Sequence, residues 1–124
     1  MREVLLVAAG GAIGAAARYV VGLMITSRTG PGFPWHTLLI NVTGAFLIGV
    51  LFALPLGGTP SAAAWRLFLA TGILGGFTTF SALSFESVDL IARGQALSGL
   101  ANIFGSGVAG LLAAWAGLTV GRLL

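Results

Sequence analysis

The sequence predicts an all-α integral membrane protein with four transmembrane helices per subunit, the third broken at mid-membrane. Three observations carry this reading. Hydrophobic residues are 57% of the 124 and charged residues 7%, far from the roughly 25% charged share of a soluble domain. The apolar residues fall into four runs, and four crossings of roughly 20 residues each use up most of the chain, so residues 1–124 are expected to form a single four-helix transmembrane domain. Inside the third run, the stretch GILGGFTTFSALSFE (72–86) places Gly75, Gly76, Thr78 and Thr79 close together, where an uninterrupted helix would use stronger helix formers.

Span one is expected over about 4–25. The opening MREVLLVAAGGAIGAAARYVVG has the small residues of a signal peptide. Glu3 weakens the basic end, however, and the apolar run continues past any cleavage point, so a retained span is the better reading. TSRTGPGFP closes it with Gly, Pro and polar residues. Span two runs over about 35–54, entering through Trp35, an aromatic suited to headgroup level. PLGGTPSAAA follows, with Ser61 as candidate N-cap for span three, over about 63–92 with its break at 75–79. RGQ turns the chain at Arg93 into span four, over about 96–123.

Threading four spans puts Arg2, Arg66 and Arg122 on one side and Arg18, Arg28 and Arg93 on the other. Insertion direction normally follows an excess of Lys and Arg in the cytoplasmic loops. A three-to-three division offers none, which predicts dual topology and makes an antiparallel homodimer available, the two-chain form of an inverted repeat. Span four carries a stripe of small residues, Gly107, Gly110, Ala114, Gly117 and Gly121. It can seat either a helix of the same subunit or one of a second copy.

The sequence pI near 11.3 comes from six scattered arginines and no lysine. It lacks the clustered basic patch that binds nucleic acid. There is no cysteine, and His36, Glu3, Glu86 and Asp89 complete the acid–base inventory. No catalytic or nucleotide-binding motif is present, so no enzyme is expected. His36 reads as an interfacial residue. Glu86 and Asp89 read as solvated or paired with Arg93, which lies four residues beyond Asp89. A proton-coupled exporter of similar size would require a carboxylate at mid-membrane, and the sequence places none there.

What lies at mid-membrane is polar and neutral. Asn41 must find partners, because an unpaired amide in hydrocarbon costs roughly 2 to 7 kcal/mol. It serves either as interhelical glue or as an N–H donor to a passing ion. Arg18 continues the Gly10–Gly14 face of span one, and either snorkels to the interface or faces a watery vestibule that draws anions. The break in span three releases backbone groups that survive in a bilayer only when buried in protein or lining a cavity. Phe80, Ser81, Ser84 and Ser87 follow it, offering a ring edge and hydroxyls to a small anion.

At these residues the chain resembles the Fluc-type (CrcB) fluoride channel family. The likeness covers essentially the whole chain and rests above all on TLLINVTG together with GGFTTFS. It implies a small antiparallel homodimer in the cell inner (plasma) membrane, with two pores through which fluoride leaves passively. The resemblance places Asn41, Phe80, Ser81, Ser84 and Arg18 along the pore and its vestibule. It places the backbone carbonyls of Gly75 and Thr78 around a structural Na+ at the dimer interface. Ala82 and Leu83 depart from the family's TTFSTFS, Leu83 standing where a second pore phenylalanine is expected, and Ile103 stands where some members have tyrosine. One ring per pore, weaker conduction, or a heterodimer with a second subunit would each accommodate Leu83.

Overall fold

The computed structural model describes residues 1–124 and is entirely helical. Helix α1 covers Arg2–Thr29 and α2 covers Trp35–Ala53. The third crossing, Pro60–Ala92, is composite. It comprises α3 (Pro60–Arg66), a π-helical segment (Leu67–Leu74), a single turn α4 (Gly75–Phe77) and α5 (Phe80–Ala92). Helix α6 covers Ala96–Leu123. Four of these units, of 28, 19, 33 and 28 residues, are long and apolar enough to cross a membrane, the shortest rising about 28 Å against a hydrocarbon core of ~30 Å. The chain is a multi-pass membrane protein.

Local chemistry sets the element ends. Gly30, with φ 75°, closes α1 through its N–H to the Thr26 carbonyl at 3.0 Å, a backbone conformation that glycine adopts without steric cost. At the start of α3 the cap is Thr59, not Ser61. The Thr59 hydroxyl accepts from the Ala62 N–H at 3.2 Å, because Pro60, which has no N–H to satisfy, occupies the first helical position and leaves the cap to the residue before it. After α5, the N–H groups of Gly94 and Gln95 fold back onto the Ile91 and Leu90 carbonyls, making the short turn into α6.

The interior is built of small and polar residues. Nine of the twenty buried residues are glycine, and Thr37, Ser87, Asn102 and Ser106 are buried as well. Large apolar side chains such as Leu97, Leu111 and Trp115 point outward. Helices surrounded by lipid gain nothing from hiding leucine, so they associate through close backbone approach. A Cβ on Gly10 would lie 2.5 Å from the Phe68 carbonyl oxygen, and one on Gly14 would overlap the Ile73 carbonyl. Thus α1 lies directly on the first half of the third crossing. Helix α2 lies as closely on α6, where Cβ atoms on Gly49 and Gly117 would strike the Ala114 and Phe46 carbonyls. The α6 stripe therefore divides. Gly117 and Gly121 are occupied inside the subunit, while Gly107 and Gly110 meet nothing within 4 Å.

The interruption is narrower than the 75–79 expected. Gly75 remains helical at φ −64°, ψ −38°, and only Thr78 (φ −80°, ψ 158°) and Thr79 (φ −153°, ψ 121°) are extended. The glycines serve packing, since a Cβ on Gly76 would come within 2.5 Å of the Gly11 carbonyl oxygen. The β-branched threonines, which favour extended backbone, make the break. The π-helical turns before it have no counterpart in the sequence expectation.

If glycine contact holds the bundle together, Gly14→Ala and Gly117→Ala should each destabilise it by about 1 to 3 kcal/mol. This should appear as earlier thermal unfolding in detergent, with Gly105→Ala, whose Cβ meets open space, unchanged as the control.

Candidate functional site

The break creates a problem that α2 solves. Extended residues inside a crossing expose peptide groups with no helical partner, and a bilayer offers no water to replace one. Asn41 faces Thr79 and takes both of its backbone groups. Its Nδ2 donates to the Thr79 carbonyl at 2.9 Å, and its Oδ1 accepts from the Thr79 N–H at 2.7 Å. The amide thus pairs with the break as a neighbouring strand would. This pairing also fixes which end of the amide is nitrogen, because the Thr79 N–H needs an acceptor. A primary amide has two N–H donors, so one is left.

Diverting the Thr79 N–H has a further result. In an α-helix that group would close the next turn onto the carbonyl of Gly75, four residues back. Given to Asn41 instead, it leaves the Gly75 carbonyl without its helical donor. Gly75 is exposed on the surface of the chain. The neighbouring Thr78 carbonyl receives Arg18 Nη1 at the long distance of 3.4 Å, and the Thr78 hydroxyl donates back to the Leu74 carbonyl at 3.0 Å.

A groove of about 500 Å³ runs past this point, lined by Asn41, Gly44, Thr78, Thr79, Phe80, Leu83, Ser106, Gly107 and Gly110 among others. The open half of the α6 stripe forms one wall. Phe80, first residue of α5, stands with 76% of its surface exposed. Ser81 is exposed beside it, its hydroxyl 3.2 Å from that of Thr79. Ser84 lies one turn on and donates to the Phe80 carbonyl at 2.9 Å, so its proton is committed to its own helix. Leu83 lines the same groove but is itself largely buried. Asn41, Phe80 and the break thus share one groove. Arg18 lines a separate cleft of about 350 Å³ with Tyr19, His36, Thr37 and Thr79, and it reaches the break from that side. Neither lining includes a carboxylate.

Two polar clusters escape the sequence reading. Glu86 does not pair with Arg93. Its Oε1 accepts the Thr37 hydroxyl at 2.7 Å and lies 3.2 Å from His36 Nε2, both on α2, while Asp89 alone takes Arg93. Between α5 and α6, the fully buried Asn102 donates to the Ser87 hydroxyl at 3.0 Å and faces Ser106 at 3.5 Å. Ser87 in turn donates to the Leu83 carbonyl at 2.7 Å. The available signal was the spacing of Asn102 and Ser106, four apart in an apolar run and hence on one face.

Comparison with known proteins gives the family. Residues 5–118 match the model of the family described as CrcB-like protein, Camphor Resistance (CrcB). A protein named fluoride-specific ion channel FluC from Rhizobium meliloti is 48% identical over 124 residues, covering 100% of this chain and 99% of the relative. A protein of the same name from Thermus thermophilus is also 48% identical, over 100% of this chain and 98% of its own. Its counterpart from another strain of that species is 49% identical over 120 residues, 97% and 94% of the two chains. With the family model spanning nearly every residue and these relatives matching end to end, the chain belongs to the CrcB-like family.

Proposed function

We propose that this chain forms a fluoride-selective channel in the plasma membrane, conducting passively through two pores of an antiparallel homodimer. The observation that carries the reading is the Asn41 amide, clamped on the break with an N–H left over on a groove that has no carboxylate. The relatives named for fluoride, similar over their whole length, support the choice of ion. An anion in this groove would meet the spare Asn41 N–H and the positive edge of the Phe80 ring, with the exposed Ser81 hydroxyl next along α5, neutral groups that replace water without trapping the ion by full charge. Ser84 extends the same α5 face by one turn. Arg18, in its cleft on the other side of the break, supplies the field that brings anions to the entrance. One exposed ring per pore suffices in this reading, with Leu83 giving the groove an apolar wall without a ring edge.

The groove is open along one side, and a second, inverted copy is the occupant we assign to it. Gly107 and Gly110 offer that copy a close seat. The three-to-three division of arginines allows both orientations to insert. At the dimer axis the Gly75 carbonyl, short of a donor and exposed, and the Thr78 carbonyl, with a lone pair to spare beside its long contact to Arg18, fit a hard cation with oxygen ligands. We assign them to a structural Na+. When bound, it would link the two breaks by neutralising four carbonyl dipoles.

Three outcomes are expected. Fluoride efflux from liposomes, read with a fluoride electrode, should fall at least about tenfold in Asn41→Asp. That change removes the donor to the Thr79 carbonyl and sets a like charge in the anion's path. Paired reporters fused at the C-terminus, one active only in the cytoplasm and one only outside it, should both give signal, and a one-sided signal refutes dual topology. Replacing Na+ by a large organic cation during reconstitution should lower flux and loosen the dimer, as read by size-exclusion chromatography.

A further inference from the structure

A further cleft, separate from the proposed permeation route, lies between α1 and the start of the third crossing. Its volume is about 370 Å³, and it is lined by Arg2 and Leu6 from α1 and by Ser61, Ala64, Trp65 and Phe68 from the third crossing. None of these residues lines the groove assigned to a second copy or the cleft that holds Arg18. The lining is layered. With two crossings between them, α1 and the third crossing begin on the same side of the membrane and run into it in the same direction. Arg2 and Ser61 therefore stand at the rim, Leu6, Ala64 and Trp65 about one turn deeper, and Phe68 about two turns deeper.

The chemistry changes with depth in the order that a phospholipid presents its own groups. At the rim, the exposed Arg2 and Ser61 carry a guanidinium and a hydroxyl, both donors. Neither ion pair of the chain uses Arg2, so its charge is uncommitted. Arg66, beside Trp65 in the sequence, instead donates to the Leu54 carbonyl at 3.2 Å and does not line the cleft. Below the rim every lining side chain is aliphatic or aromatic. Trp65 is 59% exposed, and Phe68 meets it edge to face with ring centroids 6.2 Å apart, a wall suited to the level where headgroups meet hydrocarbon. No carboxylate lines the cleft, so nothing there would pair with the ammonium of a zwitterionic headgroup.

We infer that this cleft binds an anionic phospholipid, its phosphodiester at Arg2 and Ser61 and an acyl chain laid along Leu6, Trp65 and Phe68. The single uncommitted cation selects a headgroup with net negative charge over one that carries its own ammonium. The apolar wall below selects a lipid over free phosphate, which would leave Trp65 and Phe68 uncovered. The site stands whichever ion the groove conducts. Its preference for anionic over zwitterionic lipid is expected to be about fivefold, the effect of one arginine near an anionic membrane surface.

The test is quenching of Trp65 fluorescence by lipids with brominated acyl chains. The full chain carries Trp35→Phe and Trp115→Phe, which leave Trp65 as its one indole, and is reconstituted into phosphatidylcholine vesicles. These contain brominated phosphatidylglycerol or brominated phosphatidylcholine at equal mole fraction. The association constant at Trp65 should be about fivefold higher for phosphatidylglycerol, and the ratio should fall to about one in Arg2→Gln. It should stay high in Arg122→Gln, which removes a charge from the same side of the membrane but outside the cleft. Should the single-tryptophan protein fold poorly, the chain with all three tryptophans is compared with Trp65→Phe, in which the preferential quenching should disappear. Equal quenching by the two lipids, or a preference that survives Arg2→Gln, overturns the site. Loss of the preference on adding millimolar inorganic phosphate gives the cleft to free phosphate and overturns the lipid as its occupant.

Discussion

A peptide group inside a bilayer must be hydrogen-bonded by protein, and the rest of the structure follows from that constraint. A chain that breaks a helix at mid-membrane accepts unpaired N–H and C=O groups that cost about 1 to 3 kcal/mol each, and it must supply partners from elsewhere in the fold. Here two side chains do so, Asn41 at Thr79 and Arg18, at longer range, at the Thr78 carbonyl. Asn41 meets both backbone groups of Thr79 at 2.9 and 2.7 Å, which allows two residues to be extended between Phe77 and Phe80 while helix continues on either side. Everything placed at the break follows from that clamp: the exposure of Phe80, the loss of a donor at Gly75, and the approach of Arg18 to the Thr78 carbonyl.

The clamp in turn requires α2 to lie against the third crossing, and glycine makes that approach possible. At Gly44 an added Cβ would strike the Thr78 side chain, and at Gly49 it would strike the α6 backbone. Lipid gives no hydrophobic advantage to burying large side chains, so cohesion has to come from backbone proximity and internal polar contacts. The buried Asn102–Ser87–Ser106 cluster supplies the polar part between α5 and α6. Large side chains are free to face outward, and a chain of 124 residues carries a groove lined in part by polar groups without a large apolar core.

Charge is kept to the edges in the same way. The groove contains no ionised group, and the nearest cation, Arg18, stands in the adjoining cleft. The acidic residues are kept out of the groove by pairing, Asp89 with Arg93 on its own helix and Glu86 with Thr37 and His36 across to α2.

The four crossings, the interruption of the third and the polar residues facing it are all legible in the amino-acid order. These are properties of composition and of local conformational preference, and each is expressed within a few neighbouring residues. Adjacent β-branched Thr78 and Thr79 after two glycines weaken the helix locally, and the apolar runs suit a membrane by composition alone. Which of two available partners each group takes was settled by packing alone. Asn41 lies 38 positions from Thr79 and Thr37 lies 49 from Glu86, pairings that the local three- and four-residue spacing of a helix does not give. The α6 stripe reads as one continuous seam, yet its two halves differ because α2 reaches Gly117 and Gly121 and stops short of Gly107 and Gly110. Helix spacing along a chain determines which residues share a face, whereas the neighbour of that face is set by how all the crossings pack together.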